Sequence, residues 1–147
     1  ADLPLACAKA MGADETINLK TQAEAMDKYK VDKGQFDAVF EASGSEAALR
    51  TGLDVIVPRG VLITVGMGGD ISLPMTQVVA KEVDLRGTFR FHPEFATAVR
   101  FLNEGLVNGK PVITRVLPME RALEAFDLAA DKRQSLKVQI QFTPEAA

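Results

Sequence analysis

The spacing of apolar residues along this chain switches repeatedly between a helical and a strand period, and glycine or proline stands at most of the switches. Leu3, Cys7, Ala10 and Met11 share one helical stripe, with Asp2 as N-cap and Gly12 as the stop. Glu15-Thr16-Ile17-Asn18-Leu19 reads as a short strand, and Thr21 to Tyr29 as an exposed helix with Ala23 and Met26 inward. Phe36-Asp37-Ala38-Val39-Phe40-Glu41 is too short for a helix and predicts a strand that runs into the small-residue turn Ala42-Ser43-Gly44. Ser45 to Val57 regains helical spacing through Ala48, Leu49, Leu53 and Ile56, until Pro58-Arg59-Gly60 breaks it. Val61-Leu62-Ile63-Thr64-Val65 is almost continuously apolar and rich in β-branched residues, the pattern of a central parallel strand covered on both faces. It empties into Gly66-Met67-Gly68-Gly69-Asp70.

The second half continues in the same manner with tighter spacing. Ile71-Ser72-Leu73 predicts a short strand, Met75 to Ala80 a short helix, and Val83 to Phe89 another strand ending in Arg90-Phe91-His92. Pro93 to Gly105 reads as a helix with Phe95, Val99 and Leu102 inward, and Val112 to Val116 as an extended piece. Pro118 to Asp131 is amphipathic, with Met119, Leu123, Phe126 and Ala130 on one side, and Lys137 to Phe142 alternates as a closing strand. The tail after it should fray. Short strands alternating with helices predict an α/β fold with a mostly parallel, doubly wound sheet and helices on both faces. In such sheets ligands lie over the carboxyl ends of the strands.

Composition narrows the function classes. A chain of 147 residues can bury a core without disulfide or metal staples, and one domain is expected. Lys and Arg number 17 against 20 Asp and Glu, for a net charge of −3, and no basic block exceeds Lys132-Arg133. This argues against nucleic acid and anionic membrane as partners. The single cysteine excludes an internal disulfide framework, and no apolar run approaches the roughly 20 residues of a membrane span, so a cytoplasmic location is expected. A helix that starts at once in an α/β chain also leads us to expect a strand upstream of Ala1.

The candidate chemistry is a pocket rather than a reaction centre. Gly66 and Gly68 suggest the dinucleotide fingerprint, but its third glycine would fall at Ile71 and a strand-like stretch follows instead of a helix. The glycines read instead as a loop that leaves room for a flat ligand. Two small-residue turns, Ala42-Ser43-Gly44 and Gly66-Met67-Gly68-Gly69, end successive strands and point to a shared pocket. Glu41 reads as a structural hydrogen-bond acceptor before it reads as an acid or base. Arg90, between Phe89 and Phe91, is either a ligand contact or half of an ion pair. Cys7 reads as a core residue and His92 as a surface residue. One Cys and one His cannot complete a four-ligand zinc site, and no catalytic residue is expected within this chain.

Four stretches in order, Met11-Gly12-Ala13-Asp14-Glu15-Thr16-Ile17-Asn18, Phe36 to Gly44, Gly60-Val61-Leu62-Ile63-Thr64-Val65-Gly66-Met67 and Leu85-Arg86-Gly87-Thr88-Phe89-Arg90-Phe91, resemble the cofactor-binding half of the zinc-containing medium-chain alcohol and polyol dehydrogenases. Within that family they are similar to the sorbitol, xylitol and L-idonate 5-dehydrogenase branch. The resemblance implies a truncated NAD(P)-binding Rossmann domain over residues 1–142 with a tail at 143–147, lacking the first strand, the glycine fingerprint, the first helix and the second strand. It implies that Ala42, Ser43, Gly44, Val65, Gly66, Met67, Thr88, Phe89 and Arg90 face NAD or NADP, and that Arg90 also joins the substrate network. Zinc would be bound in the full-length parent, outside this chain.

The implied reaction is hydride transfer between a secondary alcohol of a polyol or aldonate and NAD(P), with the 147-residue chain inactive by itself. Homodimers or homotetramers are implied, paired near the sheet edge formed by Ile71 to Leu73 and Val83 to Thr88. Two other readings stay open: a zinc-free quinone reductase of the same superfamily, and a nonenzymatic nucleotide-binding or assembly module.

Overall fold

The computed structural model describes residues 2–143. The expected fraying of the tail 143–147 lies outside them, Thr143 excepted. The contacts divide the chain into two compact units, one formed by Ala23–Phe91 and the other by the described residues before and after that segment.

The Ala23–Phe91 unit is built on a three-stranded parallel sheet in the order β1-β2-β3, with β1 at Phe36–Glu41, β2 at Ile56–Thr64 and β3 at Asp84–Gly87. Helix α2, Glu46–Val55, crosses from β1 to β2, and α3, Met75–Ala80, crosses from β2 to β3. Leu49, Leu53 and Ile56, three of the four apolar residues at helical spacing, meet Leu62 and Val78 in the core. Burying side chains of this size contributes about 1.5–3 kcal/mol each. Leu62 is fully buried and β2 is central, as expected, but Val65 at the end of the apolar run is 47% exposed.

The boundary between α2 and β2 differs from the expectation. The helix stops at Val55, and Pro58-Arg59-Gly60 lies inside the strand as a bulge, because the pairing jumps from Phe36 with Ile56 to Ala38 with Val61. Arg59 takes a positive φ of 66° there. A strand can loop residues out without losing its ladder on either side, so the proline and glycine mark a bulge and not a helix stop. Lys81 secures this junction: its ammonium donates to the carbonyls of Leu53, Asp54 and Ile56 at 2.6, 3.1 and 3.0 Å. Burial pushes its pKa down.

Other expectations are corrected. Ile71-Ser72-Leu73 is irregular, because the backbone of Ser72 bonds to side chains of α2 instead of to a strand. Residues 21–29 hold a 3-10 turn at Ala23–Tyr29 in place of an α-helix, and β3 is shorter than the Val83 to Phe89 pattern.

In the other unit α1, Asp2–Ala10, ends near Gly12, whose φ of 104° suits a glycine stop. Asp2 is the first helical residue and accepts from the Asn18 side chain at 3.2 Å. No residue of α1 is buried, Cys7 included. Residues 15–18 form no strand, since no other described strand pairs with them. Helix α4, Glu94–Asn103, leaves Phe95, Val99 and Leu102 exposed. The parallel pair β4, Ile113–Pro118, and β5, Lys137–Gln141, is joined through α5, Ala122–Ala130. That helix starts later than the Pro118 to Asp131 pattern, because Met119–Arg121 forms a 3-10 turn before it. It buries the small Ala125, which permits close approach to the strands, and leaves Leu123 and Phe126 exposed, as is Met119 in the turn.

Candidate functional site

Glu41, the last residue of β1, is 6% exposed, and its carboxylate folds back over the turn that follows. Oε1 accepts the Ser43 amide at 2.7 Å and the Ser43 hydroxyl, while Oε2 accepts the Gly44 amide at 2.9 Å. Ser43 Oγ in turn accepts the Ser45 amide at 3.2 Å. Ser45 stands at the N-cap of α2, but its own side chain makes no capping bond. A carboxylate so surrounded by donors stays ionised: the Ser43 hydroxyl first, then the backbone amides, hold Glu41 below its ordinary value of 4.5 against the cost of burial. Glu41 is thus a structural acceptor, the first of the two roles expected for it.

The two small-residue turns interlock. The Glu41 carbonyl accepts the amides of Val65 and Gly66 at 2.7 and 2.9 Å, extending the β1–β2 ladder past its last pair. A Cβ on Gly66 would sit 2.0 Å from the Gly44 nitrogen, and one on Gly68 would sit 2.1 Å from the Gly44 carbonyl oxygen. Gly44 has a φ of 69°, and a Cβ there would lie 2.6 Å from the Gly68 nitrogen. These glycines are therefore required by backbone meeting backbone. The space expected to admit a flat ligand is filled by the neighbouring turn, and what remains for a ligand is the outer side, where Ala42, Ser43, Val65 and Met67 are exposed.

The third predicted segment leaves the neighbouring strand. The Thr88 amide donates to the Thr64 carbonyl at 3.1 Å, and Thr64 Oγ1 donates to the Arg86 carbonyl at 3.1 Å. Phe89 is exposed, and the Arg90 guanidinium lies 5.0 Å from its ring centroid in a cation–π stack. Arg90 has a φ of 60°, a left-handed conformation that costs a residue of this kind about 1–2 kcal/mol. Strained residues of this sort cluster at ligand sites. Ala42 to Gly44, Val65 to Met67 and Thr88 to Arg90 thus follow the carboxyl ends of three adjacent parallel strands, where α/β sheets bind ligands.

The fit to a nicotinamide cofactor is selective. The amides of Ser43, Gly44, Ser45, Val65 and Gly66 are already taken by Glu41 and Ser43, so these turns do not form a nest of free N–H groups for a pyrophosphate. What they present outward is a surface of small and apolar side chains with no cradle for a phosphate. The residues do not fit zinc: among the described residues no three His, Cys, Asp or Glu side chains are grouped to hold a metal ion. Cys7 Sγ instead lies 3.8 Å from Met11 Sδ and 3.6 Å from the Pro111 carbonyl oxygen. His92 is exposed, and its amide donates to Glu94 at 3.1 Å where α4 begins.

Pattern reading missed Lys81 and the Glu46–Arg50 pair. The four-residue spacing from Glu46 to Arg50 marks an exposed helical ion pair, but their target at Ser72 is set by the tertiary fold.

Comparison with known proteins gives a consistent result. The model of the zinc-binding dehydrogenase family matches residues 3–104. L-idonate 5-dehydrogenase (NAD(P)(+)) of Escherichia coli is 43% identical over 139 residues, covering 94% of this chain and 40% of the relative. Sorbitol dehydrogenase of Rattus norvegicus is 35% identical over 144 residues, covering 95% and 40%. The crystal structure of L-idonate 5-dehydrogenase from Escherichia coli matches with a TM-score of 0.89 at 42% identity, over 97% of this chain and 41% of that one. This likeness bears out the partial Rossmann-type, mostly parallel α/β fold. The chain spans about 40% of the length of the curated relatives it matches.

Proposed function

The chain belongs to the zinc-binding dehydrogenase family, and from that footing we propose that it forms the nicotinamide-facing part of an oxidoreductase acting on a polyol or aldonate such as sorbitol or L-idonate. The observation that carries this reading is the 43% identity, over nearly the whole chain, to a relative named for L-idonate and NAD(P)(+). The interlocked turns support it with a rigid, largely uncharged wall at the carboxyl ends of β1 and β2.

In this reading Ala42, Ser43, Gly44, Val65, Gly66, Met67, Thr88 and Phe89 line the nicotinamide end of NAD or NADP, and Arg90 reaches cofactor and substrate hydroxyls. The cofactor, when bound, accepts or returns the hydride of a secondary alcohol. This chain's residues orient it: the backbone wall limits its position, and Val65 and Met67, 47% and 77% exposed, keep water from one face once covered. The zinc that polarises the alcohol belongs to sequence outside this chain, as does the grip on the pyrophosphate.

The reading keeps residues 1–142 as one truncated cofactor-binding domain with a tail at 143–147, an arrangement that limited proteolysis can test: resistance to cleavage near residues 22 and 92 supports it, and release of a stable Ala23–Phe91 piece contradicts it. It also includes a cytoplasmic dehydrogenase that forms dimers or tetramers through the exposed edge strand β3. Light scattering showing only monomers of the full-length polypeptide would contradict that assembly. No described helix is long and apolar enough to cross a membrane.

The test is direct. The full-length polypeptide that carries this sequence should bind zinc and oxidise L-idonate or sorbitol with NAD+ or NADP+. The 147-residue chain alone should not. A zinc-loaded full-length protein inactive on both substrates would contradict the proposed substrate class.

A further inference from the structure

Beyond Gly68 the loop after β2 crosses an exposed stretch with a second glycine, Gly69, before Leu73 packs against the core. A Cβ on Gly69 would meet nothing within 4 Å, so sterics do not restrain the loop there. At Ser72 both backbone groups are taken by one ion pair on the first turns of α2. Glu46 Oε2 accepts the Ser72 amide at 3.1 Å, Arg50 Nη2 donates to the Ser72 carbonyl at 3.1 Å, and Arg50 Nε closes the pair on Glu46 Oε1 at 2.9 Å. The result imitates the two-bond exchange of a strand ladder with side chains.

We propose that Glu46 and Arg50 are positioning residues for the cofactor wall: they clamp the far end of the 66–72 loop at Ser72, while Glu41 and Gly44 hold its near end at Met67, and so limit how far the exposed stretch between the two holds can move across the wall. The inference rests on the proposed cofactor role of Val65 to Met67. Both side chains are partly exposed, 42% for Glu46 and 44% for Arg50, and an ion pair of that exposure is weak in isolation. Its effect here comes from geometry, since Arg offers two donors in a fixed fork and Lys offers a point charge on a flexible stem. The clamp touches neither cofactor nor substrate. It acts through the loop, so it should alter cofactor binding more than the chemical step.

The test combines hydrogen exchange with kinetics on the full-length dehydrogenase. Arg50→Ala should speed exchange of the Ser72 amide, whose acceptor Glu46 then loses its partner, by about tenfold while the amides of Ala38 to Glu41 and Val61 to Thr64 stay protected, which establishes that the variant folds. KM for NAD+ or NADP+ should rise about fivefold with kcat within about twofold of the parent. Arg50→Lys should match Arg50→Ala in both readouts, whereas Glu46→Gln, which keeps an oxygen for the Ser72 amide, should fall between Arg50→Ala and the parent in both.

Unchanged exchange at Ser72 in Arg50→Ala overturns the clamp. Faster exchange with an unchanged KM overturns its positioning role. If the parent enzyme shows no NAD(P)-dependent turnover at all, the proposed function fails while the exchange measurement still decides the clamp.

Discussion

Ser43 and Gly44, after β1, are held by a buried carboxylate and by the backbone of the next strand's loop, whereas Phe89 and Arg90, after β3, are held by one amide bond at Thr88 and by each other. Both regions end parallel strands on the same side of the same sheet. They divide the work of a site differently. The first is fixed by backbone packing with no ligand needed, so its residues are tied to stability. The second presents exposed side chains from a strained backbone, so its residues are free to serve binding. The contrast teaches that a glycine in a candidate pocket need not make space for a ligand, because its missing side chain can be consumed by the fold.

The largest effect should come from breaking the interlock. Gly66→Ala places a methyl 2.0 Å from the Gly44 nitrogen and 2.7 Å from the Ser43 backbone, with no flexible side chain there to yield. We expect a loss on the order of 3 kcal/mol or more in urea unfolding. Gly69→Ala, three residues further along the same loop, meets open space and should stay within about 0.5 kcal/mol. Equal effects of the two would remove the interlock from the account.

Glu41→Ala comes next. It leaves the Ser43 and Gly44 amides and the Ser43 hydroxyl without their acceptor in a partly buried turn, at a cost of about 1–2 kcal/mol in the same assay. The pH dependence has a defined sign. Glu41 is held below its ordinary value of 4.5, so its contribution is present above that value and is lost as pH falls through the lower folded-state value. The parent should therefore lose stability relative to Glu41→Gln as pH drops below about 4.5. A parallel pH profile for the two proteins would show that the turn does not lower the carboxyl's pKa.

Arg90→Ala should have the smallest effect on folding, within about 0.5 kcal/mol, because the guanidinium stacks on an exposed ring. In the full-length enzyme it should raise KM for the polyol while thermal stability holds. A large fall in stability with unchanged kinetics would reverse the comparison between the two regions.

Much of this contrast was hidden from the sequence for identifiable reasons. The turns themselves were legible, since small residues after apolar β-branched runs mark strand ends, and Met75 to Ala80 and Lys137 to Gln141 fell where their spacing predicted. The interlock was not, because glycine reads the same whether its space is open or filled by backbone from a residue more than twenty positions away. Pro58-Arg59-Gly60 read as a helix stop because a bulge leaves no periodic signal. Ile71 to Leu73 looked like a strand by composition, yet its backbone bonds to Glu46 and Arg50, a partnership set by how α2 lies beside the loop. The exposed stripes of α4 and α5 read as core because spacing reports amphipathicity and not what covers it.

The central claim, that the outer side of the interlocked turns is a nicotinamide wall, is tested most directly by methyl NMR of the full-length enzyme labelled at the methionine ε-carbons. Met67 is 77% exposed on that side, and Met119 is 55% exposed in the other compact unit. Titration with NADH or NADPH should shift the Met67 methyl resonance in step with cofactor saturation and leave that of Met119 in place. A Met67 resonance that stays fixed while the cofactor saturates an active enzyme would contradict the account.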